Sequence, residues 1–322
     1  MKTNWERSYK EITLDIETVS NLLRTFIREE EISELESVSG GLNNSNIKVI
    51  TNLGNKYVLR LFSNNDGRAE LEGAVLKELQ ETEVPVPHVL YEDYSLSQYD
   101  HPFILLSWME GIQLSQSDHF PAESVGKILA EIHRITFDSA GMLDGKLGVK
   151  EPITINAASF MNFMNEMLIE GYAPSHIGEK EAKRIYNFAA EHASLLDDIG
   201  QQNSLVHSDF NPLNLLVDNN SEVTAVLDWE YAFSGTPLID IGNLVRYEDV
   251  KTSDRIGSLI HSYQEYGGTL PSQWLKKAKL LDLTALCDLL NRPECGEVRL
   301  KDLKELIERT IRQWNTFDDI KK

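Results

Sequence analysis

Three oxygen-bearing side chains have the types and spacing of a metal and phosphate site. Asp209 and Asn214 lie five residues apart, and Asp228 ends the next apolar run of the chain. Carboxylate and amide oxygens suit Mg²⁺, which usually keeps several waters and completes its shell with phosphate oxygens. We expect Asn214 and Asp228 to hold the metal and Asp209 to orient or deprotonate an incoming hydroxyl. The chemistry predicted is transfer of a phosphoryl group.

The local sequence predicts a hairpin that positions these side chains. Residues 214–217 and 223–227 are strand-like, and a turn signal at 219–221 separates them. Such a hairpin brings residues 214 and 228 to one end of the ladder. Taken singly, Asp209 is equally well explained as a turn former and Asp228 as a cap. A turn does not need this set of polar residues, with His207 included, beside two buried strands, so the set favours a site.

The wider chain changes its periodicity near residue 110. Helical spacing is predicted at 9–34, with a break or cap near Asp15, and at 67–80, 121–135, 156–171, 179–198, 253–267, 272–290 and 298–317. Strands are predicted at 46–51, 56–62, 88–91, 102–108, 214–217 and 223–227. Strands with one internal helix come first and helices follow. This order predicts an N-terminal lobe with a helical extension, residues 1–108, and a helical C-terminal lobe, residues 109–322.

Composition narrows the class of partner. The 322 residues carry 31 Lys and Arg against 51 Asp and Glu, a net charge of −20. Nucleic acid is disfavoured, because phosphate backbones need a basic face. The charge would attract a cationic substrate, or it simply reflects an acidic surface. Two cysteines do not complete a zinc site, and no apolar run approaches the ~20 residues that span a bilayer. With no signal peptide in view, we expect a cytoplasmic protein without membrane partners.

The motif His207-x-Asp209-x-x-x-x-Asn214, followed by Leu227-Asp228-Trp229-Glu230, resembles the aminoglycoside phosphotransferase family. That family is also similar to choline kinases, fructosamine kinases and, more distantly, protein kinases. The resemblance implies a bilobal α+β fold with a small β-rich N-terminal lobe, one key helix and a larger helical C-terminal lobe. It implies Mg²⁺ and ATP as cofactors, with GTP left open. Asp209 matches the catalytic aspartate, and Asn214 and Asp228 match the metal ligands.

The same resemblance implies supporting roles for further residues. His207 matches a residue that braces the catalytic loop, and Asp240 matches an aspartate that ties the loop down from a following helix. Arg60 matches the base that contacts nucleotide phosphates, although a strand-edge arginine on a solvated face is the alternative. Glu72 matches the helix glutamate that pairs with this base, with Glu70 as its rival.

Two loops of the N-terminal half complete the match. Residues 39–46 match the loop over the phosphates through Gly40 and Gly41, although the full G-x-G-x-x-G pattern is missing and a plain hairpin turn explains them equally well. Residues 105–111 match the interlobe linker. The backbone groups of Ser107, Trp108 and Met109 would contact adenine there.

The predicted function is therefore an ATP-dependent kinase of a small molecule with a hydroxyl group, such as an aminoglycoside, an amino alcohol or a related metabolite. A regulatory or scaffold protein that binds nucleotide with little catalysis is the alternative. The short separation of Asp228 and Asp240 disfavours a protein substrate. Helix residues Asp282, Asp288, Asn291 and Arg292 are either part of an acceptor pocket or a polar helix face, and the oligomeric state stays open.

Overall fold

A computed structural model of the chain describes residues 5–7, 9–38, 43–199, 202–248 and 254–318. Within these residues the backbone forms twelve strands, which are short and mostly antiparallel neighbours. They are β1 Ile32–Val38, β2 Ser45–Thr51, β3 Lys56–Leu61, β4 Val89–Asp93, β5 Phe103–Ser107, β6 Ile112–Gln113, β7 Gly141–Leu143, β8 Val149–Pro152, β9 Ser204–Val206, β10 Leu215–Val217, β11 Val223–Val226 and β12 Phe233–Gly235.

The α-helices of the described residues are concentrated after residue 120. They are α1 Ile16–Leu23, α2 Arg68–Leu79, α3 Ala122–Arg134, α4 Ala157–Asn165, α5 Ala173–Ile177, α6 Glu179–His192, α7 Leu238–Leu244, α8 Asp254–Glu265, α9 Trp274–Leu290 and α10 Glu297–Gln313. Short 3₁₀ segments lie at Leu114–Gln116, Ala193–Asp198 and Trp314–Asp318, and a π-helical turn at Glu166–Glu170 follows α4. No helix in the described ranges has the length and apolar character needed to cross a membrane.

Strands β1 to β5 form an antiparallel sheet in the order β1-β2-β3-β5-β4. The predicted hairpin of β2 and β3 is confirmed. Every second residue of β2 is buried, as expected when one face of a pleated strand covers a core. Strand β3 lies between β2 and β5, so its fifth residue, Arg60, is held within the sheet by Asn46 on one side and Ile104 on the other.

The predicted helix over residues 9–34 is wrong for most of its length. Only α1 is helical, and Asp15 caps it by accepting a hydrogen bond from the N–H of Thr18 at 2.7 Å. Non-helical residues such as Ile12 and Phe26 pack on the same core as α1, which produced a helix-like apolar pattern. Strand β1 escaped prediction because it is an edge strand with mostly polar, exposed side chains.

The chain divides into two compact units that are discontinuous in sequence. The first contains Met1–His119, Leu143–Gly148 and Pro212–Ala232, and the second contains the remainder. The predicted boundary between residues 108 and 109 differs from this division. Strand β10 pairs with β11 on one side and with β6 on the other, and this three-stranded sheet holds residues 212–232 in the first unit.

The second unit is mainly helical. Helix α3 packs on α8, and α7 packs on α9. A four-stranded sheet in the order β8-β7-β12-β9 accompanies the helices. These strands have three or four residues each, too few to show a period, and they were not predicted from the sequence.

Candidate active site

The first unit contains a cavity of about 340 Å³. This volume lies within the range of small-molecule sites. Apolar side chains, polar groups and charged groups share its wall, as expected for a ligand with an apolar ring and an anionic tail. Seven of the predicted site residues line it: Arg60, Glu72, Ser107, Trp108, Met109, Asn214 and Asp228.

Arg60 is the centre of a charged cluster in this wall. Its side chain is 7% exposed, and its Nε lies 2.9 Å from Oε2 of Glu72. Its Nη2 contacts Asp228 and lies 3.6 Å from Oε1 of Glu230. The atoms joining Arg60 and Glu72 are close but not aligned for a hydrogen bond, so that contact is ionic. The solvated strand-edge arginine considered above is thereby excluded.

Helix α2 presents Glu72, not its rival Glu70, to this cluster. Glu72 is 1% exposed and forms the ion pair with Arg60. The Cβ of Glu70 faces Gly145 instead, where an added Cβ would meet it at 2.6 Å. The two positions differ by two residues along a helix, so they point in different directions and only one can face Arg60.

Burial and charge shift the acid–base properties of the cluster. Burial disfavours the charged guanidinium, but the carboxylates of Asp228, Glu72 and Glu230 outweigh it and raise the pKa of Arg60. Burial raises the pKa of Glu72 more than Arg60 lowers it. Burial and the charge of Asp228 also raise the pKa of Glu230. Three carboxylates thus surround one guanidinium, and the site has an excess of acidic groups.

Asn214 and Asp228 lie at the same end of the β10–β11 ladder, as the predicted hairpin requires. The N–H of Leu227 donates to the backbone oxygen of Asn214 at 2.8 Å, and Leu215 pairs with Val226. Asp228 adopts the left-handed conformation with φ of 71°, which is uncommon for a residue other than glycine and marks a constrained position.

The donor chemistry of this ladder end fits Mg²⁺. One carboxylate and one amide oxygen are hard ligands, and they leave several positions of an octahedral shell to water and phosphate. A divalent cation would also balance the excess of carboxylates around Arg60. Among the described residues no group of three or more His, Cys, Asp or Glu side chains is arranged to hold a metal. The residues therefore fit a metal that phosphate helps to bind, not one that the protein encloses.

The linker residues 107–111 form another part of the cavity wall. The N–H of Ser107 donates to the oxygen of His88, and its Oγ accepts from the N–H of His88, both at 2.9 Å. The amide of Ser107 is thus engaged by β4, which leaves Trp108 and Met109 as the candidates for contacts through N–H groups. Gly111 has φ of +143°, and an added Cβ would meet Oγ1 of Thr224 at 2.7 Å. This close approach requires glycine.

Asp209 lies in the second unit, on the loop after β9. The amide of Asn211 donates to Oδ1 of Asp209 at 2.8 Å and to its backbone oxygen at 3.0 Å. The N–H of Asp209 donates to Nδ1 of His207 at 3.2 Å, so Nδ1 carries no proton. The side chain of His207 is fully buried and its ring contacts Phe210 edge to face. These contacts orient the Asp209 carboxylate.

Asp240, on α7, holds the start of this loop. Its carboxylate accepts hydrogen bonds from the N–H groups of His207 at 2.9 Å and Ser208 at 2.8 Å. His133 Nε2 lies 3.1 Å from the same carboxylate, and His133 Nδ1 lies 3.0 Å from the hydroxyl of Tyr263. Burial, with the charge of Asp240, raises the pKa of Tyr263, which keeps its hydroxyl as a donor. These are the contacts that a brace of the loop requires.

The sequence did not reveal three further residues of these networks. Glu230 was quoted within a motif but without a role, His133 is one polar residue on the apolar side of α3, and Arg246 follows an apolar helical run. Arg246 forms a buried pair with Asp282, with Nη2 and Oδ1 2.6 Å apart. Burial opposes the charge of Arg246, but Asp282, with a smaller contribution from Asp209, raises the pKa of its guanidinium.

The polar residues predicted on α9 are therefore not one solvated face. Asp282 is buried in its pair with Arg246, and Oδ1 of Asn291 accepts from the N–H of Tyr172 at 2.6 Å. Asp288 lies 3.6 Å from Arg292 on the helix surface. Gly40 and Gly41 lie outside the described residues.

Comparison with known proteins identifies the family. The model of the phosphotransferase enzyme family, APH, matches residues 34–275 of the 322. The chain belongs to this family. The resemblance drawn from residues 207–230 is thereby confirmed. A search of curated protein sequences finds no match to the chain.

Solved structures of phosphotransferases share the fold. A thermostable mutant of aminoglycoside phosphotransferase APH(4)-Ia, in complex with AMP-PNP and hygromycin B, aligns with a TM-score of 0.65, 17% identity, and coverage of 92% of this chain and 99% of its own. Macrolide 2′-phosphotransferase MphH from Brachybacterium faecium gives 0.62, 17%, 96% and 99%. ADP-bound aminoglycoside phosphotransferase APH(2″)-Ib gives 0.60, 19%, 94% and 99%. The predicted α+β kinase-like fold class is confirmed.

Proposed function

We propose that the protein transfers the γ-phosphoryl group of ATP to a hydroxyl group of a small molecule. The observation that carries the proposal is Arg60, buried and paired with Glu72 in the wall of a cavity that also contains Asn214, Asp228 and the linker. Structural relatives crystallised with AMP-PNP and hygromycin B or with ADP support a nucleotide and a small acceptor.

The residues of the cavity have distinct roles in this proposal. Arg60 presents a permanent charge and a planar fork to phosphate oxygens, and Glu72 holds that fork in place. Trp108 and Met109 offer backbone groups to the purine, with the oxygen of Ser107 as a further acceptor. Asn214 and Asp228 would hold Mg²⁺, which supplies neutralisation of phosphate charge when bound.

Asp209 is the proposed catalytic residue. Its carboxylate is oriented by Asn211 and His207, and it would accept the proton of the acceptor hydroxyl or align that hydroxyl for attack. His207 and Asp240 are positioning residues, because they touch the loop and not the reacting atoms. Phosphoryl transfer of this kind depends mainly on positioning and charge, and the braced loop serves the first need.

The acceptor class that we propose is an aminoglycoside-like antibiotic, an amino alcohol or a related metabolite. The net charge of −20 favours a cationic acceptor over an anionic one and disfavours nucleic acid. Two free cysteines and a need for ATP support a cytoplasmic location.

The proposal is tested by ADP release over a panel of aminoglycosides, macrolides and amino alcohols, with ATP and GTP in parallel. We expect at least one acceptor to stimulate turnover by the wild type. The Asp209→Asn variant should lose about 10²–10⁴-fold in kcat while keeping its affinity for nucleotide, because only the proton acceptor changes. Asp118→Asn, the same change at an exposed site, is the control.

Two results would contradict the proposal. Undiminished turnover by Asp209→Asn would remove this residue from the chemistry. Tight nucleotide binding with no transfer to any acceptor would favour the scaffold alternative.

A further inference from the structure

The segment that precedes α1 contacts both sides of the connection between β1 and β2. Its described residues are 5–7 and 9–15, and Trp5 anchors it with only 5% of its surface exposed. The segment lies before residue 34, where the match to the family model begins. It is therefore an addition to the part of the chain that the family model describes.

Hydrogen bonds tie this segment to the strand ends on each side of residues 39–42. On the β1 side, Glu11 accepts a hydrogen bond from the hydroxyl of Ser37. On the β2 side, the N–H of Ile12 donates to Oγ of Ser45 at 2.8 Å, and Nη2 of Arg7 donates to the backbone oxygen of Asn44 at 2.9 Å. A charged donor makes the last of these bonds stronger than a neutral pair would be.

Asn44 joins the segment to the charged cluster. It is 5% exposed, and its amide donates to Oε1 of Glu230 at 2.9 Å. Its Oδ1 accepts from the N–H of Ser63 at 3.3 Å. Oε1 of Glu230 lies in turn 3.6 Å from Nη2 of Arg60. A continuous polar path therefore runs from Arg7 through Asn44 and Glu230 to the guanidinium at the cavity wall.

We propose that this N-terminal segment is a positioning element of the nucleotide site, and that Arg7 is its principal positioning residue. It orients Asn44, which directs Glu230 against Arg60 and leaves the guanidinium aligned for phosphate. The inference rests on the proposed function, because it assigns nucleotide phosphates to Arg60. Orientation of a group before binding spares the cost of ordering it during binding. Loss of Arg7 therefore weakens nucleotide binding without touching the nucleotide.

The test is calorimetric titration of the full chain with Mg·AMP-PNP, combined with steady-state kinetics. We expect Arg7→Ala to raise the Kd for the nucleotide and the KM for ATP by about 10-fold, the usual effect of losing one charged hydrogen bond. The kcat and the KM for the acceptor should stay within about twofold, a split that a general loss of folded protein would not produce. Arg28→Ala is the matched control, because Arg28 is an exposed arginine of the same N-terminal region that bonds only locally, to the oxygen of Thr25.

A second pair of variants guards against a folding defect. Arg7→Lys keeps the charge and should recover most of the affinity, and Glu11→Gln, which weakens the bond from Ser37, should raise the Kd by a smaller factor. An unchanged Kd in a folded Arg7→Ala, or equal losses in Arg7→Ala and Arg28→Ala, would overturn the inference. Should Arg7→Ala not fold, wild-type affinity in Glu11→Gln would overturn it. A wild type that binds no nucleotide would instead refute the proposed function, and the inference with it.

Discussion

Arg60 shows how one side chain can organise a site through competing partners. Its guanidinium faces Glu72, Asp228 and Glu230, and all three carboxylates are shielded from water to different degrees. Glu72 and Glu230 are almost completely buried, whereas Asp228 is about one quarter exposed. The exposed partner is the one that can exchange Arg60 for a metal ion. This difference in burial explains how one cluster can include both a permanent brace and a replaceable ligand.

Replacement of Asp228 tests this assignment. We expect Mg²⁺ to strengthen ATP binding by the wild type and Asp228→Asn to lose most of that gain, because an amide is a weaker ligand for a hard cation. Binding measured without metal should change much less. The readout is Kd for ATP with Mg²⁺ and with a chelator, and an equal metal effect in both proteins would contradict the assignment.

Asp240 carries a second residue-scale prediction. Its carboxylate satisfies two backbone N–H groups and His133 in a fully buried setting. Asp240→Ala leaves these donors without a partner and should lower the free energy of unfolding by about 3–5 kcal/mol. Asp15→Ala, which removes an exposed helix cap, should cost only about 1 kcal/mol. Denaturant unfolding of the two variants measures the contrast, and similar losses would contradict the role of Asp240.

At the scale of elements, length and exposure decided what the sequence could predict. Helices α2, α3, α8 and α9 bury one side over three or more turns, and their spacing predicted them within a few residues. Strands β7 and β12 have three residues each, and their pairing depends on partners that are distant in the chain. No local pattern specifies such pairing, so these strands could not be predicted.

The candidate site followed the same rule. Asn214 and Asp228 could be placed together because a short hairpin joins them. The choice of Glu72 over Glu70 needed the rotation of α2, which depends on packing. Asn44, Glu230 and His133 act through contacts between segments about 100 residues or more apart, and no motif marks them.

The interface of α7 and α9 predicts a dependence of stability on pH. Lys279 on α9 donates to the oxygen of Val245, at the end of α7, across a distance of 2.6 Å. Burial lowers the pKa of Lys279 to about 8, against 10.5 for an ordinary lysine. The unfolded chain therefore binds more protons between these two values. The contribution of this amine to stability is present above the unfolded pKa and is lost as the pH falls through the folded one.

Comparison with Lys279→Met isolates this group. We expect the free energy of unfolding of the wild type, relative to the variant, to be about 2 kcal/mol lower at pH 7 than at pH 9.5. Denaturant unfolding at the two pH values gives both numbers, because other titrations cancel in the difference. Parallel pH profiles for the two proteins would show that Lys279 is not desolvated.

At the scale of the whole molecule, the proposed chemistry needs residues from both compact units. The first contains Arg60, Glu72, Asn214 and Asp228, and the second contains Asp209 with its supports His207 and Asp240. The chain passes from one unit to the other between Asn211 and Pro212, within the motif that first suggested the function. The division in space thus falls inside a continuous motif, which is why a single cut along the sequence could not describe it.

The central claim is that the cavity beside Arg60 binds the triphosphate of a nucleotide. A ligand that binds only the folded chain stabilises it by about 2.7 kcal/mol at a concentration of 100 Kd. The direct measurement is denaturant unfolding of the chain with and without Mg·AMP-PNP, for the wild type and for Arg60→Ala. We predict stabilisation of this size for the wild type and little or none for Arg60→Ala at the same nucleotide concentration. An absence of stabilisation in the wild type, or an equal gain in both proteins, would contradict the claim.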